Sequence, residues 1–106
     1  MSGSFDDRRK GFESKWAHDA DMQFKIMARR NKLLGLWAAE LMGRSGDAAT
    51  AYAKEVIAAD FEEAGDEDVY RKVRKDLPDS VTEHAIRHKM VDLLDVAAEQ
   101  VQKEAK

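Results

Sequence analysis

Apolar residues recur along this chain in four separated runs, and in each the spacing is helical rather than alternating. In the first, Met22, Ile26, Leu33, Leu34, Trp37 and Leu41 fall within about a third of a helix circumference, the width of a core-facing stripe. Asp19 or Asp21 can cap this helix, and Gly43 is a natural stop with Arg44 beside it. The turn RSGD then leads to a second helix, capped by Ser45 or Asp47 and running AATAYAKEVIAADFEEA to an end at Gly65. Ala49, Tyr52, Val56 and Ala59 share its inner face, with Ala53 and Ile57 alongside. So many alanines imply close approach of helix axes. Asp66 can cap a third, short helix, DEDVYRKVRKDL, with Val69, Val73 and Leu77 at i, i+4, i+8, and it must stop before Pro78. Ser80 followed by Glu83 has capping-box spacing, and Ile86, Met90, Leu93, Leu94, Ala97 and Val101 line a fourth helix, beyond which QKEAK should fray. Short connections and one apolar face per helix predict an all-α fold, a small antiparallel four-helix bundle.

That bundle gives the first eighteen residues no part. They carry Phe5, Phe12 and Trp16 at spacings that put three rings on one helical stripe, yet Gly3, Gly11, Ser2, Ser4 and Ser14 make the segment a poor helix alone. Ordering it removes ~1–2 kcal/mol of conformational entropy per residue, of which three buried rings at roughly 2–3 kcal/mol each offset perhaps half. The expected organisation is a flexible N-terminal arm over 1–18 and a bundle domain over 19–106. Charges of both signs surround the rings. Two fates suit such a segment: helix formation in a partner's groove, or folding back over the bundle's own apolar surface.

Composition narrows the chemistry. The chain has 106 residues, one domain's length, and no cysteine, which excludes disulfides, thiol nucleophiles and Cys-type zinc sites. No apolar run approaches the ~18 residues that span a membrane, and MSGSFDDRRK lacks the apolar core of a secretory signal. A cytoplasmic protein without direct membrane insertion is expected. The net charge of −3 hides an asymmetry: Met22 to Gly46 carries five basic residues against Glu40, and Asp47 to Asp68 carries eight acids against Lys54. A basic helix beside an acidic one is most simply an attracting pair within one fold.

No enzyme signature is present. The glycines form no phosphate loop and no serine sits in a nucleophile elbow, so no catalytic residue and no cofactor are expected. His84, His88 and Asp92, at i, i+4, i+8, are the best metal-like spacing, but they lie opposite the apolar stripe and need further ligands from elsewhere; a solvated polar face is the simpler account, and no metal is expected. Arg29, Arg30 and Lys32, with Lys25, are candidate anion or nucleotide contacts. A nucleic-acid partner is not expected of an acidic chain. Mid-helix Gly35 reads as a point of close approach by another helix or a large ring. His18 reads as a hinge between arm and bundle.

The stretches FDDRRKGFESKWAHD, ARRNKLLGLWAAE and the helices through EQVQKEA resemble the zeta-type inhibitor subunit of bacterial F-type ATP synthases, over nearly the whole chain. The resemblance implies a helical bundle with an N-terminal inhibitory region, flexible when free, that enters a catalytic interface of the synthase's soluble head as a helix. There it blocks rotation in the hydrolytic direction. It places Phe5, Arg8, Arg9, Phe12, Glu13, Lys15 and Trp16 as partner-binding residues, the catalytic head as partner, and a monomer, peripheral to the inner membrane through the synthase, as the free and bound setting. Gly11 and Ser14 stand where such arms carry alanine-like residues, and Gly11 lowers helicity by ~1 kcal/mol. Two other readings of the residues stand beside it: a small helical nucleotide- or metal-sensing module, and a generic helical interaction domain.

Overall fold

Asp21 lies in the first turn of the first helix, where a carboxylate meets the positive end of the helix dipole. This helix, α1 (Ala20–Leu41), opens the computed structural model, which describes residues 20–60 and 67–104. It ends as predicted. Gly43 adopts φ +78°, the Gly43 amide donates to Glu40 O at 3.0 Å and the Arg44 amide to Ala39 O at 2.8 Å. That pair of bonds is a Schellman cap, which only a residue tolerant of positive φ closes without strain.

The second helix, α2 (Gly46–Ala59), follows an extended Ser45 whose side chain makes no capping bond. It stops well short of Gly65: Asp60 is in a turn, its amide donating to Ile57 O at 3.2 Å. Asp60 puts a carboxylate at the negative end of the helix dipole, which opposes extension, and the predicted end at Gly65 lies outside the described residues. The expected cap at Asp66 lies outside the described residues. The third helix, α3 (Glu67–Asp76), ends before Leu77 and Pro78 as the proline requires. The fourth, α4 (Glu83–Glu104), is capped differently from expectation. Thr82 Oγ1, not Ser80, accepts the Ala85 amide at 3.0 Å, and Glu83 turns to Arg87 at 2.9 Å. The cause lies in the preceding turn. Arg74 donates to Val81 O and, at 2.7 Å, to Pro78 O, and the Val81 amide closes onto Pro78 O at 3.0 Å. Those bonds hold residues 78–81 in a turn until Val81 has packed on the core.

The helices pair antiparallel in chain order. Tyr52 meets Asp76 and Glu55 meets Lys72 between α2 and α3; Glu67 meets Arg87 between α3 and α4; Arg29 reaches Gln100 and Glu104 between α1 and α4. Where α1 crosses α2, a Cβ on Gly35 would lie 2.6 Å from Ala53 Cα, so the neighbour that requires this glycine is the α2 backbone rather than a ring. The core has two parts. The larger joins all four helices through residues such as Leu34, Val56, Val73 and Ile86; the smaller joins Ile26 of α1 to Ala97, Ala98 and Val101 of α4. Among the described residues no helix is long and apolar enough to cross a membrane.

Candidate functional site

The two-part core follows from unequal helix lengths. α1 and α4 have 22 residues each, α2 has 14 and α3 only 10, so α3 supports one half of the bundle and contributes nothing to the core of the other. The half without it is built on the N-terminal turns of α1, the part of the chain that joins residues 1–19. The predicted partner-binding residues Phe5, Arg8, Arg9, Phe12, Glu13, Lys15 and Trp16, and the hinge His18, lie outside the described residues.

The basic residues of α1 divide between two sides of that helix. Arg29 and Lys32 line one open depression with Lys25, Phe24, Ala28 and Ile57, closed at one end by Val101 and Glu104. Its volume is about 340 Å³. Arg29 is clasped there: Nη1 and Nη2 each donate to Glu104 at 2.7 Å, and Nη1 also donates to Gln100 Oε1 at 2.8 Å. The hydrogen bond to Glu104 holds the guanidinium above its ordinary pKa, and the same bond holds the Glu104 carboxyl below its own. Lys25 and Lys32 are exposed on the rim. Arg30 is not with them. It is only 2% exposed, its Nε donating to Asn31 Oδ1 at 2.7 Å, and it lines a separate hollow with Arg87, Met90, Val91 and Leu94. The three residues predicted as one anion contact set are thus two plus one. The residues missed were Phe24 and Glu104: Phe24 falls off the apolar stripe of α1, which was the available signal, while nothing local in the sequence ties Glu104 to Arg29.

Beside this depression, on the α2 side, a narrower cavity of about 200 Å³ is lined by Phe24, Met27, Ala28, Asn31, Ile57 and Asp60. Phe24, Met27, Ala28 and Ile57 make the apolar part of its wall, and Asn31 and Asp60 the polar part. Asn31 is wholly buried and its Nδ2 has no hydrogen-bond partner. Such a donor costs roughly 1–3 kcal/mol relative to a satisfied one.

The histidine face is as polar as its spacing suggests. The rings of His84 and His88 stack at 6.0 Å, and His88 Nε2 lies 3.2 Å from Asp92 Oδ2. Among the described residues no group of three or more His, Cys, Asp or Glu side chains can hold a metal ion. A second polar cluster ties α2 to α3. Tyr52, 1% exposed, donates to Asp76 Oδ2 at 2.9 Å, and Lys72 bridges Asp76 at 2.9 Å and Glu55 at 2.7 Å. Burial, then the bond to Asp76, pushes the Tyr52 phenol up. Burial alone raises Asp76, but the bonds from Lys72 and Tyr52 outweigh it and leave its carboxyl below the ordinary value. This cluster locks helices together and faces no cavity described here.

Comparison with known proteins gives a family and a structural neighbour. The family model described as ATPase inhibitor subunit zeta matches residues 1–100. A solved structure described as the solution NMR structure of the protein is similar at 58% sequence identity and a TM-score of 0.74, covering 78% of this chain and 98% of that one. No curated protein matches.

Proposed function

The chain belongs to the ATPase inhibitor subunit zeta family, and from that premise we propose that it inhibits ATP hydrolysis by the F-type ATP synthase, with residues 1–18 as the inhibitory segment and the bundle as its support. A family of inhibitor subunits is regulatory rather than catalytic. The observation that carries the reading is the extent of the match: it begins at residue 1, so the first eighteen residues belong to the family pattern along with the bundle. In this reading Phe5, Phe12 and Trp16 bury in a catalytic interface of the soluble head, while Arg8, Arg9, Glu13 and Lys15 pair at its rim. Ordering the segment on binding lowers affinity and keeps the block reversible. The bundle holds the arm at high local concentration. The protein acts in the cytoplasm, as a monomer when free, at the membrane only through the synthase.

Deleting residues 1–18 tests this. The expected result is a folded bundle, by its helical signal and cooperative melting, that no longer inhibits hydrolysis by the isolated catalytic head. Inhibition equal to that of the full chain refutes the assignment. Replacing Phe5, Phe12 and Trp16 together with alanine should likewise remove inhibition.

One observation favours a second, compatible reading. Arg29 and Lys32 converge with Lys25 on one depression beside the Phe24 ring, an arrangement suited to an anion or nucleotide. Titration with ADP and ATP should then shift the amides of 24–32 in a saturable way.

A further inference from the structure

We infer that, before the synthase is engaged, the arm is stored on its own bundle, with the Phe12 ring in the cavity between α1 and α2 lined by Phe24, Met27, Ala28, Asn31, Ile57 and Asp60. Three observations converge on this occupant. The first is size. A cavity of ~150 Å³ lined by aliphatic and aromatic side chains holds one benzene. This one, at about 200 Å³, fits a single phenyl ring, with Phe24, Met27, Ala28 and Ile57 as the apolar part of its wall.

The second is reach. The described chain begins at Ala20, and Ala28 stands eight residues further along the helix, a rise of ~12 Å. Phe12 precedes Ala20 by eight residues, a tether of up to ~26–29 Å when extended. A returning arm therefore passes the cavity with length to spare. Phe5 lies too far along the arm to be placed by this tether, and Trp16 has only four residues in which to reverse direction.

The third is polarity. The adjoining depression presents exposed Lys25 and Lys32 on its rim, to which Glu13, the neighbour of Phe12, can pair.

The consequence concerns regulation, and it rests on the arm being the inhibitory segment. A ring buried at home is unavailable to the catalytic head, so apparent affinity falls by the fraction of molecules with the arm released. The bundle then sets how readily the inhibitor acts.

The chain has no cysteine, so a single nitroxide can be placed by Ser14→Cys in the full-length protein. The expected result is strong paramagnetic broadening of the amides at 28 and 57–60, none at 79–82 in the far turn, and loss of the broadening when Phe12→Ala is added. Amides at 28 and 57 as sharp as those at 79–82, or broadening that survives Phe12→Ala, overturns the proposal. Ile57→Glu, at a half-buried rim position, should abolish the broadening and tighten inhibition of the catalytic head severalfold. Unchanged or weaker inhibition by a folded Ile57→Glu protein overturns it too, and Ala28→Gln gives the same test from α1 if that variant does not fold. The label reads the isolated protein and the deletion of 1–18 reads the synthase. Failure of storage and failure of the inhibitory assignment are therefore separate outcomes.

Discussion

Tyr52 shows how one side chain can bind two helices through a proton. Its hydroxyl donates to Asp76 Oδ2 at 2.9 Å from a position 1% exposed, and Lys72 approaches the same carboxylate from the other side. Asp76 is held below its ordinary value of 3.8 because these bonds outweigh burial. A carboxyl depressed in the folded state stabilises the protein above its unfolded pKa, and that stability is lost as pH falls through the folded value. Tyr52→Phe removes one of the two bonds, so its destabilisation should be about 1 kcal/mol near neutrality and should shrink as pH falls through the lowered Asp76 value. Urea melts of both proteins in a series from pH 7 to pH 2 measure this; an equal loss throughout contradicts it. Helical spacing put Tyr52 on the inner face of α2, but its partner lies 24 residues away and no local pattern announces it. Buried Arg30 and Asn31 were illegible for a related reason. Both are polar residues in a run, ARRNK, that reads as a solvated face, and their burial comes from α2 and α4 closing over a helix they pack against.

At the level of elements, periodicity carried the four helices and most of their inner faces: Ile26, Leu34, Tyr52, Val56, Val69, Val73, Ile86 and Val101 are all buried, but Leu41, placed on the same stripe and last in α1, is 46% exposed. Ends were legible where a backbone requirement is local, as at Gly43 and Pro78. They were missed where the deciding interaction is electrostatic or tertiary: α2 gives way to a turn at Asp60, and Arg74 fixes the turn that moves the α4 cap to Thr82. The far end of α4 depends on a tertiary contact in the same way. Its last turn is held to α1 by the Arg29–Glu104 fork, although terminal residues of a helix otherwise fray. Glu104 is lowered from its ordinary 4.5 by the hydrogen bond from Arg29, so the fork is complete above that value and opens as pH falls below it. Amides at 101–104 should lose exchange protection in Glu104→Gln at neutral pH, and in the parent protein on acidification, while those at 86–90 keep theirs. Equal protection at 101–104 in parent and variant would show that apolar packing of Val101 alone fixes this turn.

Among the described residues the molecule joins four helices around the larger core and only α1 and α4 around the smaller, and α3 is less than half as long as either of those two. In the four-helix half large side chains from every helix interlock around Leu34, Val56, Val73 and Ile86. The other half buries Ile26 and Val101 against two alanines of α4 and adds the charged fork at its edge. Buried apolar area is the main stabilising quantity, and an exposed ion pair adds little to it. The half that joins residues 1–19 should therefore open at lower free energy than the half that α3 covers, by about 1.4 kcal/mol or more, roughly tenfold in exchange at fixed intrinsic rate. Native-state hydrogen exchange checks this by comparing amides 24–30 and 96–102 with 34–39, 52–56 and 86–90 in the intact chain. The design has a functional sense in an inhibitor. Under the function proposed above, an arm that enters another protein and returns would use a base that yields locally, with α3 keeping the rest of the bundle closed. A single exchange rate across both halves would mean that the short α3 stabilises the bundle as one unit.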